Sequence, residues 1–209
     1  RCFVVDEKGH PVPPSAIAAL VAERELAREP GSTVIHNLIT SKAVPEIIRE
    51  NGGEPVRTRV GHSFIKAKMA ETNAVFGGEH SAHYYFRDFW RADSGMLAAM
   101  HVLAALGQQD KPLSEMMAKY NRYAASGEIN SRLDSAEAQA DRTEAVVKAF
   151  ADRAENVDRL DGVTVELKDG NWFNVRASNT EPLLRLNVEA DTQEAVDALV
   201  KEILAIIRA

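Results

Sequence analysis

Over the first 120 residues, short β-like apolar runs alternate with helical stripes. Residues 2–5, 33–38, 56–60 and 74–76 read as strands, rich in Val, Ile and Phe. Each is followed by a helical pattern. Pro13 and Pro14 precede a stripe of Ile17, Leu20 and Val21 that stops at Pro30-Gly31. Ser41 is placed to cap a second helix, whose Val44, Ile47 and Ile48 face one way before Gly52-Gly53. Ile65 and Met69 mark a third helix and residues 96–106 a fourth, with Asp93 or Ser94 as its cap. Four strand–helix units in succession predict an α/β fold, a mainly parallel sheet covered by helices. Functional groups in such a sheet lie beyond the carboxyl ends of the strands.

The pattern changes after Tyr120. Residues 121–127 are small and polar enough for a linker, 128–133 read as a strand and 135–151 as a helix. Runs at 163–167, 172–175 and 184–188 then follow closely, the first two joined across Asp169-Gly170, a hairpin signal. A last helix starts near Thr192, with Asp191 and Glu194 as a capping box and a stripe of Val196, Leu199, Val200, Ile203 and Ile207. The expected organisation is therefore an α/β domain over 1–120, a linker over 121–127, and a smaller α+β domain over 128–209. The smaller domain would carry an antiparallel sheet and two helices.

Three stretches carry chemistry. Arg176-Ala177-Ser178-Asn179-Thr180-Glu181-Pro182 sits between two strand patterns and offers a guanidinium fork, hydroxyls, an amide and backbone donors, a set that suits a phosphate dianion. The same residue types also build ordinary turns. Gly77-Gly78-Glu79-His80-Ser81-Ala82-His83-Tyr84-Tyr85-Phe86-Arg87-Asp88 follows a strand pattern. Its paired glycines let the chain turn, and in an extended loop Glu79, Ser81 and His83 would project to one side. A carboxylate beside an imidazole suits sugar hydroxyls and proton movement, while loop packing is the plainer alternative. The aromatic group Tyr84, Tyr85, Phe86, Phe89 and Trp90 reads as packing beneath that loop. Residues 56–68 hold Arg57, Arg59, Lys66, Lys68 and His62 without an acid, and a helix starting near Ser63 would point free N–H groups at an anion. A solvated basic face is the alternative there.

Composition narrows the classes. At 209 residues, 45% hydrophobic and 27% charged, the chain can bury one large core or two modest ones. A net charge of −6 argues against a nucleic-acid binder, so an anionic ligand must be drawn by local charge. There is no apolar run long enough for a membrane span and no leader pattern. The single cysteine, Cys2, can make no internal disulfide, which is compatible with the cytoplasm. No His or Cys spacing completes a metal site.

Together the Gly-Gly-Glu-His-Ser-Ala-His-Tyr-Tyr-Phe-Arg-Asp and Arg-Ala-Ser-Asn-Thr-Glu-Pro stretches resemble the α-D-phosphohexomutase superfamily, in its bacterial phosphomannomutase/phosphoglucomutase branch. The likeness runs through the whole chain but covers only the C-terminal half of the family's enzyme. The resemblance implies a reversible phosphoryl shift between C1 and C6 of mannose or glucose phosphate, through a hexose 1,6-bisphosphate. It implies that Arg176, Ser178, Asn179 and Thr180 hold the phosphate, and that Glu79 and Ser81 hold the sugar's O3 and O4. His62 and Arg59 add substrate contacts. His83 would stand near the reacting hydroxyl, with Arg1 as the last residue of the family's metal loop and residues 1–8 as the tail of a preceding domain.

The aspartates of that loop and the family's phosphoserine loop are not in these residues. The resemblance therefore implies a chain that binds substrate and needs the N-terminal half of the enzyme, with its phosphoserine and Mg²⁺, to turn over. Phosphoglucosamine mutase and a non-catalytic sugar-phosphate-binding module are the alternatives. The sequence specifies neither the oligomeric state nor the choice among mannose, glucose and glucosamine.

Overall fold

The computed structural model describes residues 1–178 and 181–209, which form two compact units, Arg1–Arg122 and Tyr123–Ala209. In the first, β1 (Val4–Val5) pairs antiparallel with β2 (Pro11–Val12) in a two-stranded sheet of its own. The run at residues 2–5 therefore does not begin the main sheet, because the chain turns back at Gly9 and pairs locally. Next come α1 (Pro14–Arg28), β3 (Thr33–Asn37), α2 (Ala43–Glu50), β4 (Glu54–Thr58), α3 (His62–Thr72) and β5 (Phe76–Gly78). They are followed by β6 (Tyr84–Phe86), β7 (Ala92–Asp93), α4 (Gly95–Leu106) and α5 (Leu113–Ala118). The main sheet has the order β4-β3-β5-β6-β7. Strands β4, β3 and β5 are parallel, and β6 and β7 extend the sheet antiparallel.

Helix α1 is more than an amphipathic cover. Residues Ser15 to Ala22 are all buried, because α2, α4 and β5 all pack on it. Pro14 at its first turn loses no bond the helix needs. Ser94 caps α4 by accepting from the Leu97 N–H, while the Ser41 hydroxyl accepts from the Ala43 N–H at the start of α2. Tyr84, Tyr85 and Phe86 are core residues, but Phe89 is 36% and Trp90 82% exposed, so the expected aromatic packing stops at Phe86.

Gly77 and Gly78 serve packing rather than turning. Both lie inside β5, and a Cβ on Gly77 would stand 2.9 Å from Ile65 Cγ2 of α3, while one on Gly78 would stand 2.7 Å from Ala18 Cβ of α1. Two helices thus press on opposite faces of one short strand. On the neighbouring strand His36 is wholly buried, and burial holds its imidazole down to about 4 from the ordinary 6.5.

The second unit contains β8 (Ala124–Ala125), β9 (Ile129–Arg132), α6 (Ala136–Phe150), β10 (Ala154–Asp158), β11 (Val163–Leu167), β12 (Trp172–Ala177), β13 (Leu183–Ala190) and α7 (Gln193–Ile207). Its sheet runs β10-β11-β12-β13-β8, with β9 also on β13, every pairing antiparallel. Strand β8 falls within the stretch read as a linker. One face carries Val163, Val165, Phe173, Val175, Leu184, Leu186 and Val188 against Val146 and Phe150 of α6 and Val196, Leu199 and Ile203 of α7. The cap of α7 is Thr192, whose hydroxyl accepts from the Ala195 N–H, one residue beyond the expected Asp191. The α/β and α+β classes expected from the sequence both hold.

Gly162, in the turn between β10 and β11, has φ +65°, and a Cβ there would lie 2.3 Å from the Val175 carbonyl oxygen and 2.8 Å from Arg176 Cα. Because backbone cannot move aside cheaply, Gly162→Ala should cost about 2 kcal/mol or more in urea unfolding, and an unchanged midpoint would contradict this packing. A pH effect follows from His36. Its folded value lies below its unfolded one, so the unfolded chain takes up the extra proton first as pH falls. Stability from this group is complete above about 6.5 and is lost down to about 4. The span amounts to about 3 kcal/mol, and His36→Gln should flatten the stability profile over that range by a similar amount.

Candidate functional site

In the first unit the residues singled out from sequence gather around the β5–β6 hairpin. The Glu79 N–H donates to the His83 carbonyl at 3.0 Å and the Ala82 N–H to the Glu79 carbonyl at 3.1 Å, with Ala82 at φ +66°. The segment is a tight turn, not the extended loop expected. Glu79 and His83 nevertheless share a side, because they face each other across the hairpin as its ladder ends. Ser81 sits at the tip, half-buried.

Glu79 is 2% exposed, and its carboxylate accepts from Tyr85 Oη at 2.6 Å and from Asn37 Nδ2 at 3.3 Å. The Asn37 side-chain oxygen accepts in turn from Thr40 Oγ1 at 2.7 Å. Two neutral donors at fixed places satisfy a carboxylate that burial alone would penalise. Burial first, and then the adjoining carboxylate, push the Tyr85 hydroxyl well above its ordinary value, so it remains a donor.

His83 is held on both ring nitrogens. Nδ1 pairs with Asp93 Oδ2, and Nε2 accepts from Arg1 Nε at 3.1 Å. An acceptor on one nitrogen and a donor on the other select the tautomer with the proton on Nδ1. The Cys2 N–H donates to the Ala82 carbonyl at 3.2 Å, which fixes the segment bearing Arg1 against the turn. A cavity of about 310 Å³ is lined by His62, Lys66, His83, Tyr85, Ala92 and Asp93. His62 is the first residue of α3, where free backbone N–H groups end the helix. Arg59 lies outside the cavity lining, its guanidinium 5.0 Å above the Phe64 ring. Lys66, Tyr85, Asp93 and Asn37 were not assigned from sequence. Lys66 was visible in the basic stretch, whereas Asp93 meets His83 only because β6 and β7 pair.

In the second unit Arg176 closes β12 at 6% exposure and lies 3.8 Å from Glu128 Oε2. The Ser178 N–H donates to the Leu183 carbonyl at 2.8 Å, and its hydroxyl accepts from the Glu181 N–H and from Arg185 Nη2, each at 3.3 Å. Asn179 and Thr180 lie outside the described residues. Arg185 is a residue that sequence reasoning passed over. Its signal was a charged position alternating with Leu184 and Leu186, but its pairing with Arg176 needs the register of β12 on β13. Among the described residues no group of three His, Cys, Asp or Glu is placed to hold a metal ion, so these side chains do not fit a magnesium site. No helix among them is long and apolar enough to cross a membrane.

Residues 13–123 match the description of phosphoglucomutase/phosphomannomutase, alpha/beta/alpha domain III, and residues 128–206 match the C-terminal domain of the same family. A phosphomannomutase of Methanocaldococcus jannaschii is 39% identical over 207 residues, covering 99% of this chain and 45% of its own length. A phosphomannomutase of Escherichia coli strain K12 is 42% identical over 192 residues, which is 91% of this chain and 41% of the relative. A crystal structure of a phosphoglucomutase/phosphomannomutase family protein from Burkholderia thailandensis superposes with a TM-score of 0.82 at 30% identity, over 99% of this chain and 44% of the other. The chain thus spans less than half the length of these relatives.

Proposed function

The chain belongs to the phosphoglucomutase/phosphomannomutase family, and from that premise we propose that it is the substrate-holding portion of a phosphohexomutase. The reaction is the reversible transfer of a phosphoryl group between C1 and C6 of mannose or glucose phosphate, by way of a hexose 1,6-bisphosphate. The observation that carries this reading is the β5–β6 hairpin, which joins Glu79, Tyr85, His83 and Asp93 beside one cavity. Phosphoserine and Mg²⁺ are assigned to the part of the relatives' length that this chain does not span. The cytoplasm is the proposed location, supported by the lone Cys2.

Each residue has a distinct task in this reading. Glu79 and Ser81 take the sugar's O3 and O4, the carboxylate using lone pairs that Tyr85 and Asn37 leave over. Clamping at O3 and O4 leaves C2 unread, so both epimers are substrates. His62, Arg59 and Lys66 add positive charge on the side from which an anionic sugar approaches. His83, with its proton on Nδ1 toward Asp93, presents Nε2 to accept a proton from the reacting hydroxyl once Arg1 yields that position. Asp93 then stabilises the imidazolium that forms. Arg176 and Ser178, with Asn179 and Thr180, hold the phosphate that is not transferred. In-line phosphoryl transfer depends on positioning, so these contacts contribute to rate as well as to affinity.

Measured on a protein of the relatives' full length, Arg176→Ala should lower kcat/KM by about 1.5 to 3 kcal/mol, and an unchanged value would remove the phosphate assignment. Glu79→Gln should damage turnover of mannose and glucose phosphates alike. Loss of only one epimer's turnover would contradict the O3/O4 assignment. For His83 the readout is the pH profile of kcat. Asp93→Asn should shift its acidic limb to lower pH, since a carboxylate beside an imidazole favours the protonated ring, and an unmoved limb would separate Asp93 from proton transfer.

A further inference from the structure

The sheet of the second unit has two faces of different character. Phe173 and Val175 of β12 and Leu184, Leu186 and Val188 of β13 point into the core, so the intervening residues form polar rungs on the other face. Trp172 stands opposite Glu189, Asn174 opposite Asn187, and Arg176 opposite Arg185. The first rung is closed, Trp172 Nε1 donating to Glu189 Oε1 at 2.8 Å. The other two are not. Asn174 Oδ1, Asn187 Nδ2, Arg176 Nε and Arg185 Nε are all buried without a hydrogen-bond partner. Three of the four are donors.

Two guanidinium groups directly opposite each other on neighbouring strands repel, and sheets avoid that arrangement unless something between them carries negative charge. Glu128 supplies part of it. Its carboxylate lies 3.2 Å from Arg185 Nη1 and 3.8 Å from Arg176 Nη2, and it is itself partly exposed. Glu181 approaches Arg185 at 3.6 Å but is more than half exposed, so solvent screens it. Neither carboxylate reaches the two Nε atoms. An anion with several acceptor oxygens would answer both needs at once, neutralising the pair and accepting from inward-facing N–H groups.

We infer that Arg176 and Arg185 together form a twin-guanidinium seat for one phosphate group, with Glu128 as the resting counter-ion that the phosphate displaces. The inference rests on the phosphate-loop reading given above and adds two residues to it. Ser178 links the parts, since its hydroxyl accepts from Arg185 Nη2 and from the Glu181 N–H at the mouth of the loop. Removing Glu128 raises the local positive potential and leaves the seat without its internal competitor, so anion affinity increases.

The test is titration of the 209-residue chain with inorganic phosphate and with mannose 6-phosphate, followed by phosphorus NMR, alongside the thermal midpoint of each variant. Arg185→Gln and Arg176→Gln are each expected to weaken both ligands about tenfold, with Arg185→Lys falling between Arg185→Gln and the unchanged chain because it keeps the charge and loses the fork. Glu128→Gln is expected to bind several-fold more tightly. If Arg176→Gln loses binding while folded Arg185→Gln and Arg185→Lys keep it, the twin seat is wrong and the phosphate-loop reading survives. Unchanged or weakened binding by Glu128→Gln overturns its role as a displaced counter-ion. If neither arginine matters, or the unchanged chain shows no saturable binding, the seat and the loop reading fall together.

Discussion

A carboxylate almost wholly withdrawn from water, satisfied by one phenol and one amide, sets the geometry of the first unit. Glu79 can stay buried only while Tyr85 and Asn37 are both in place. Those donors come from different strands, Asn37 from the end of β3 and Tyr85 from the middle of β6. The requirement therefore fixes the order β3-β5-β6 and the length of the turn that joins the last two. Shortening or lengthening that turn would slide Tyr85 off the carboxylate and carry His83 away from Asp93 at the same time.

The second unit solves a different electrostatic problem. Its hydrophobic face is continuous, and its polar face ends in two like charges supported by a partly exposed carboxylate. An apolar sheet of this size needs no such face for stability. Retaining it costs desolvation at four buried polar atoms, and that cost is understandable where the same atoms meet a ligand. The close approach of Gly162 to Val175 and Arg176 holds the end of β12 in place and limits how far the guanidinium stem can drift.

Much of this was legible in the residues themselves. The runs at 33–38 and 56–60, the stripes of Ile65 with Met69 and of Val196 with Ile203, and the Asp169-Gly170 hairpin all have strong periodicity or turn chemistry, and they form where expected. What escaped was short or unpatterned. Strands β6 and β7 are three and two residues long, and β6 is an unbroken aromatic run with no alternation to read. Strand β10, Ala-Glu-Asn-Val-Asp, is a polar edge. The six-residue α5 has too few turns to show a stripe. At the site, residue types were visible and partners were not. Arg1 and His83 are 82 positions apart, and Arg185 gains meaning only from its register against Arg176. Asp191 and Thr192 are both competent caps, and the helix begins one residue later than the Asp-to-Glu spacing suggested.

The absent side chains at Gly77 and Gly78 bind distant positions into one evolutionary unit. Ala18 on α1 and Ile65 on α3 each occupy the volume that a methyl group on β5 would claim. A larger residue at either helix position has nowhere to go except into the strand that carries Glu79. Drift at these buried sites is therefore constrained jointly. Relatives that enlarge one member of the set must shrink another, even though neither helix residue is placed at the ligand.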